Sequence, residues 1–244
     1  MRRLFPETGP FELDDAALAD AYRVPAARHL RVNFVAALDG AISVGGRSGG
    51  LGSPGDLRVF RVLRALSDAV LVGAGTAAAE GYRPILADSP VGLLRAQLGR
   101  PAVAPVVIVS RRASLEPTDQ LVTDAVAPTH LVTCTAADPV RREALIDAGV
   151  RMHVCGDDDV DLPAALDALA EHGLEQVLCE GGPALFRAAL AAGVVDELDL
   201  TTPPLVVGGG PGLLPAAPTD APVRAELVQL LTEDGVLFAR RRVD

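Results

Sequence analysis

The sequence predicts an α/β fold, with a mostly parallel central sheet, helices on both faces and an antiparallel hairpin at its C-terminal end. Two observations carry this. Short β-prone aliphatic runs alternate with alanine-rich helical segments between residues 30 and 202, the pattern of parallel strands joined by helical crossovers. Two further strand-like runs, 223–231 and 235–242, are joined near Glu233-Asp234-Gly235, and a tight reversal of this kind makes a hairpin at one sheet edge.

Taken in order, residues 1–28 read as an N-terminal arm with a short helix at 13–22. Strands are expected at 30–37, 69–72, 106–109, 130–133, 151–155, 176–179 and 197–202. Helices are expected at 54–66, 139–148, 162–172 and 183–192. Two stretches rich in Pro, Ala and Gly, 83–105 and 208–222, read as excursions from the core without marking a domain boundary. At 244 residues the chain is long enough for one well-filled α/β domain and short for two, so residues 1–244 are read as a single domain.

Composition narrows the function. Hydrophobic content is 49% and aromatic content 3%, so the core must be aliphatic and alanine-rich. No apolar run approaches a membrane span, and Met1-Arg2-Arg3-Leu4-Phe5-Pro6 lacks the apolar stretch of a signal peptide. Cys134, Cys155 and Cys179 show no paired spacing and lie in or beside β-prone runs, which predicts buried thiols in a reducing cytoplasm. The four histidines are scattered, without metal-ligand spacing. Asp157-Asp158-Asp159 reads as a solvated loop before it reads as a cation site. All 22 basic residues are arginine, so a Schiff-base lysine mechanism is excluded. A net charge of −10 with scarce aromatics argues against a nucleic-acid surface. Any anionic ligand must be drawn by local arginines against the global field.

The most informative segment is Leu178-Cys179-Glu180-Gly181-Gly182-Pro183-Ala184-Leu185. A β-prone run ends in an acid and two glycines, and a helix then opens with Pro183, which suits a first-turn position needing no backbone N–H. Glycines let a ligand approach the backbone, and the free N–H groups of a helix start attract an anion. Glu180 beside such a cradle fits a site for an anionic cofactor and a polar substrate. A tight strand-to-helix turn with a surface Glu is the plainer alternative.

A second block begins Val32-Asn33-Phe34-Val35-Ala36-Ala37-Leu38-Asp39-Gly40. It passes through a Gly/Ser loop holding Ser48 and Gly50 and a helix bearing Arg58, Arg61 and Arg64, and it reaches Val72-Gly73-Ala74-Gly75-Thr76 with Glu80 close behind. With the Glu180 segment, this order of elements resembles the reductase domain of riboflavin biosynthesis, the pyrimidine reductase partner in bifunctional deaminase–reductases. The resemblance runs from about Arg31 to Val207. It implies a dihydrofolate-reductase-like fold, NADPH as cofactor and a phosphorylated ribosylaminopyrimidine as substrate. The enzyme type implied is the 5-amino-6-(5-phosphoribosylamino)uracil reductase. A homodimer is implied as well.

By that resemblance Thr76 and Glu80 contact the nicotinamide cofactor, Gly50 falls at a cofactor-contacting position, and Gly181, Gly182, Pro183, Ala184 and Leu185 form its cradle. Ser110 matches a serine near the adenosine end, where Arg112 beside Arg111 suits a 2′-phosphate, although an ordinary basic loop is equally open. Ser48 and Arg64 match positions that touch substrate, including its ribose phosphate, and Glu180 matches the acid that contacts substrate. Glu180 and Asp39 are the expected catalytic acids, because a carboxylate stabilises the iminium that accepts hydride at C1′. Asp39 in an Asp-Gly pair also serves as a simple turn residue.

Departures bear on the substrate side. Asn33 and Ala37 replace a Lys and a Ser common in bifunctional members, and Arg83 in Gly81-Tyr82-Arg83-Pro84 stands as a substitute for an arginine that relatives carry later. No His-x-Glu with Pro-Cys-x-x-Cys occurs, so the zinc deaminase half is absent. The rival expectations are an NADPH reductase of another heterocycle such as dihydrofolate, and a catalytically silent NADPH-binding protein.

Overall fold

The computed structural model describes residues 1–7, 11–24, 28–214 and 222–244. Parts of the expected N-terminal arm and of the 208–222 excursion lie outside the described residues. In chain order the elements are β1 (Arg2–Phe5), α1 (Asp15–Tyr22), β2 (His29–Val35), α2 (Pro54–Leu66), β3 (Ala69–Gly73), α3 (Ala74–Glu80) and α4 (Pro90–Gln97). They continue with β4 (Val106–Val109), α5 (Gln120–Thr123), β5 (His130–Thr133), α6 (Pro139–Asp147), β6 (Arg151–Val154) and α7 (Leu162–Ala170). The last are β7 (Gln176–Cys179), α8 (Pro183–Ala191), β8 (Glu197–Thr202), β9 (Ala225–Glu233) and β10 (Val236–Val243).

Among the described residues, ten strands join one sheet in the order β1-β9-β10-β8-β2-β7-β3-β4-β5-β6. From β8 to β6 every neighbouring pair is parallel. The β9–β10 hairpin adds antiparallel to β8, and β1 closes that edge against β9. The expected mostly parallel sheet with a C-terminal hairpin is therefore the observed one.

Strand periodicity sorts the core onto two faces. Val177 and Cys179 of β7, Val107 of β4 and Val132 of β5 pack with Leu169 of α7 and Phe186 of α8. On the opposite face Leu178 of β7 packs with Leu18 of α1 and with Val59, Val62 and Leu63 of α2. Also on that face, Ile108 of β4 and Leu131 of β5 meet Ala77 of α3, Leu121 of α5 and Leu145 of α6. Burial on both faces explains why these strands read as unbroken aliphatic runs.

Four elements escape the sequence reading. β1 is too short to show alternation, and it joins the sheet instead of remaining in a detached arm. α3 and α5 carry no apolar stripe long enough to reveal a helical period. α4 lies inside the 83–105 excursion, where its Pro and Gly content masks it. Its Gly92 is required by close approach, since a β-carbon there would lie 2.2 Å from the Leu86 carbonyl oxygen.

α4 also fixes α2. Arg95, 2% exposed, donates to the carbonyls of Pro101, Arg64, Ala65 and Ser67. Three of these belong to the C-terminal turn of α2 or its cap, where carbonyls lack helical partners. A buried cation thus closes the end of the helix that bears Arg64. A second charged cluster underlies the hairpin: Arg31 (4% exposed) contacts Glu197 at 2.5 Å and Asp199 at 3.1 Å, and Arg240 pairs with Glu197 at 2.7 Å.

Candidate active site

The parallel strands deliver their C-terminal ends to one rim of the sheet, where open α/β sheets bind ligands. Gly73 closes β3, Glu180 follows β7, and Asn33 and Val35 finish β2. A cavity of about 620 Å³ opens there, between the first turns of α2, α3 and α8 and the 42–53 loop. A contiguous recess of about 390 Å³ shares Ser48, Phe60, Glu80 and Tyr82 with it and continues past Arg64 and Arg83.

Glu180 is 8% exposed and fully engaged. Arg64 donates to it through Nε at 2.7 Å and Nη2 at 2.6 Å, and the Tyr82 hydroxyl donates at 2.6 Å. The guanidinium lies between rings, 4.2 Å from the Phe60 centroid and 5.3 Å from that of Tyr82. Burial works against the charged form of Arg64, but the Glu180 carboxylate outweighs it and raises the pKa. Burial, then the same carboxylate, raises the Tyr82 hydroxyl, which stays a donor. The result is a paired, hydrogen-bonded acid set rigidly at the junction of cavity and recess.

The glycines open the opposite wall. Gly181 has φ +86°, and a β-carbon there would meet Phe34 at 2.7 Å. The Gly181–Gly182 peptide is cis, and a β-carbon on Gly182 would sit 2.4 Å from Thr76 Oγ1. Gly73 donates to the Gly181 carbonyl at 2.8 Å, which locks the start of α3 against the start of α8. Neither helix has a side-chain cap; their N-caps are Gly73 and Gly182. The two helix starts therefore pack too closely for a side chain between them, and the uncapped N–H groups of α8, whose first turn lines the cavity, suit an anion.

The sequence-derived residues distribute unevenly. Glu180, Ser48, Thr76, Glu80, Gly182 and Pro183 line the cavity. Glu80 accepts from the Ser48 N–H at 2.9 Å, tying the loop to α3. Arg64 and Arg83 line the recess. Ala184 is exposed and Leu185 packs into the core, and neither side chain is part of the cavity wall. Gly50 is not part of the cavity wall; a β-carbon there would lie 2.9 Å from Val44 Cβ. Ser110 follows β4, is 6% exposed and bonds Ser114, with Arg112 exposed nearby.

Asp39 is not brought to the cavity. Its exposed carboxylate accepts from the Val207 and Gly208 N–H groups at 3.1 and 2.6 Å, and the Gly208 bond leads in holding its pKa low. The turn role is the one its geometry displays. Its hydrogen bonds fasten the 38–41 turn to the segment after β8.

Residues 28–237 match the profile described as the RibD C-terminal domain. The chain belongs to that family. A relative from Archaeoglobus fulgidus, named 2,5-diamino-6-ribosylamino-4(3H)-pyrimidinone 5′-phosphate reductase, is 31% identical over 73% of this chain and 81% of its own. One of the same name from Methanothermobacter thermautotrophicus is 32% identical over 73% and 78%. A Bacillus amyloliquefaciens riboflavin biosynthesis protein RibD is 31% identical over 57% of this chain, and the match spans only 35% of its length. Among solved structures, a pyrimidine reductase-like protein from Corynebacterium diphtheriae superposes with TM-score 0.78 at 28% identity, covering 89% of this chain and 92% of that one.

Within this RibD C-terminal domain, three cavity residues carry weight that the sequence reading did not assign. Tyr82 left no local signal, because its partner Glu180 lies 98 positions away. Phe60 and Asp56 did leave one: with Arg64 they repeat every four residues along α2, which puts them on one stripe. The three cysteines are free and buried, and burial pushes the Cys179 thiol up to about 12. No described helix is long and apolar enough to cross a membrane.

Proposed function

We propose that this chain is an NADPH-dependent reductase acting on a ribosylaminopyrimidine 5′-phosphate of riboflavin biosynthesis. The observation that carries the reading is that the starts of α3 and α8 line the same cavity as Glu180 and Tyr82, with Arg64 bonded to Glu180. The names of the archaeal relatives support it. Thr76, Gly182 and Pro183 line the cavity, and the uncapped start of α8 offers N–H groups there to a diphosphate, so the residues present fit a dinucleotide.

When bound, NADPH supplies a hydride to C1′ of the imine formed as the ribosylamine ring opens, giving the ribitylamino product. Thr76 and the N–H groups at the start of α8 would hold the dinucleotide, Ser110 and Arg112 would serve its adenosine end, and Glu180 would contact substrate. The negative carboxylate favours an iminium over the neutral imine at C1′. Arg64 and Tyr82 keep it from rotating. Ser48, Arg64 and Arg83 line the recess, where the substrate phosphate would be held. The apolar walls at Phe34 and Phe60 exclude water and hold the reactants close, which supplies much of the acceleration. Asp39 takes no chemical step in this reading.

The test follows NADPH oxidation by absorbance with freshly generated ribosylaminopyrimidine phosphate, beside Glu180→Gln and Arg64→Ala. Turnover lost in both variants, with NADPH binding kept, is the expected result. NADPH binding without wild-type turnover overturns the reading and leaves a reductase of another heterocycle or a silent binder.

A further inference from the structure

Three carboxylates line the cavity, and two are spoken for. Glu180 is held by Arg64 and Tyr82, and Glu80 accepts the Ser48 N–H. Asp56 is different. It sits in the first turn of α2, where its N–H is taken by the Ser53 cap at 3.1 Å, and its side chain belongs to the cavity wall. Among the described residues no arginine or histidine forms an ion pair with it. Its electrostatic neighbour is the Thr201 hydroxyl of β8, which is 2% exposed and pairs in register with Val35 of β2, another wall residue. Burial raises its pKa and the Thr201 hydrogen bond opposes that rise. A half-buried carboxylate with no cation beside it has room for further donors, and a ligand offering N–H groups supplies them.

The position along α2 says which part of a ligand. Asp56, Phe60 and Arg64 follow one another at four-residue intervals, spanning about 12 Å of helix axis. Asp56 and Phe60 line the cavity, whereas Phe60 and Arg64 line the recess. An acceptor at one end, an aromatic face in the middle and cations at the other end match a donor-edged heterocycle, its linker and a phosphate in series. We propose that Asp56 reads the pyrimidine edge, accepting one hydrogen bond from a ring N–H and one from an adjacent 2-amino group, and so selects the 2-amino pyrimidinone over its 2-oxo (uracil) counterpart. This rests on the proposed function and specifies its substrate. The 2-oxo ring turns a carbonyl toward the carboxylate, which sets acceptor against acceptor and leaves both unpaired.

The experiment compares kcat/KM for 2,5-diamino-6-ribosylamino-4(3H)-pyrimidinone 5′-phosphate and for the corresponding 5-amino-uracil, with NADPH, in wild type and Asp56→Asn. Wild type is expected to prefer the 2-amino substrate by about 100-fold or more, the scale of a buried polar mismatch. The Asn amide matches a carbonyl beside an N–H, so Asp56→Asn is expected to move the ratio toward the uracil by about the same factor while its NADPH affinity stays unchanged. Wild-type turnover with no preference, or with preference for the uracil, overturns the assignment without needing a folded variant. Equal losses on both substrates in Asp56→Asn also overturn it, and leave the proposed function standing. No wild-type turnover on either overturns both.

Discussion

Glu180→Gln replaces the acceptor at the centre of the candidate site with an amide of the same shape. Arg64, whose side chain is 16% exposed, loses its partner, and at least one of its N–H groups or the Tyr82 hydroxyl then faces an NH2 donor. Breaking a buried ion pair from one side costs about 3–5 kcal/mol. Tyr82 can turn to accept from the new amide, which recovers roughly 1 kcal/mol. The net cost is then about 2–4 kcal/mol. For a domain of this size each kcal/mol moves Tm by about 2–4 °C, so the fall should be about 5–15 °C. The double variant Arg64→Met/Glu180→Gln removes the stranded charge as well, and should recover much of the loss because the intact pair only roughly balances its desolvation. Urea unfolding of wild type, both single variants and the double closes the cycle. An unchanged Tm for Glu180→Gln, or losses that simply add in the double, would refute the coupling.

Other outcomes follow from the same geometry. Gly182→Ala should weaken NADPH at least about tenfold, since even a methyl displaces the Thr76 side chain; cofactor fluorescence titration reads this, and unaltered affinity would mean that this wall does not hold the cofactor. Arg95→Met should lower stability by about 3 kcal/mol, because the carbonyls closing α2 lose a buried donor; denaturant melts check it. His130, His153 and His172 cluster with ring centroids 5.0 to 5.8 Å apart, and burial followed by the neighbouring imidazole depresses His130 to about 4. The unfolded chain therefore binds more protons between about pH 4 and 6.5, so stability is complete above that window and falls on acidification by roughly 2 kcal/mol. Tm measured from pH 7 to 4.5 should show this fall, and His130→Gln should flatten it.

How much of this was legible depends on the range of the signal. The parallel strands showed as aliphatic runs because both sheet faces bury them, and α2 matched its expected bounds because a Ser53 cap, Pro54 and a regular apolar stripe all coincide. β1, α3 and α5 were missed because elements this short carry at most about two periods of pattern, and α4 because its Pro and Gly content masks it. Within the site, Glu180, Thr76 and the glycines sit in local motifs at strand ends, so order and spacing exposed them. Tyr82 and Thr201 act through partners far along the chain, and only the fold brings them together. Asp39 misled because Asp-Gly marks a turn and an acid alike, and the backbone of residues 207–208 claims it. His130, His153 and His172 looked scattered because β5, β6 and the turn after α7 converge only in space.

The most direct test of the central claim follows the hydride itself. Turnover of the ribosylaminopyrimidine phosphate with NADPH deuterated at the transferring position of C4, read by mass spectrometry and NMR of the product, should place a single deuterium at C1′ of the ribityl chain. Deuterium on the pyrimidine ring, or a reduced product without label, would contradict the account.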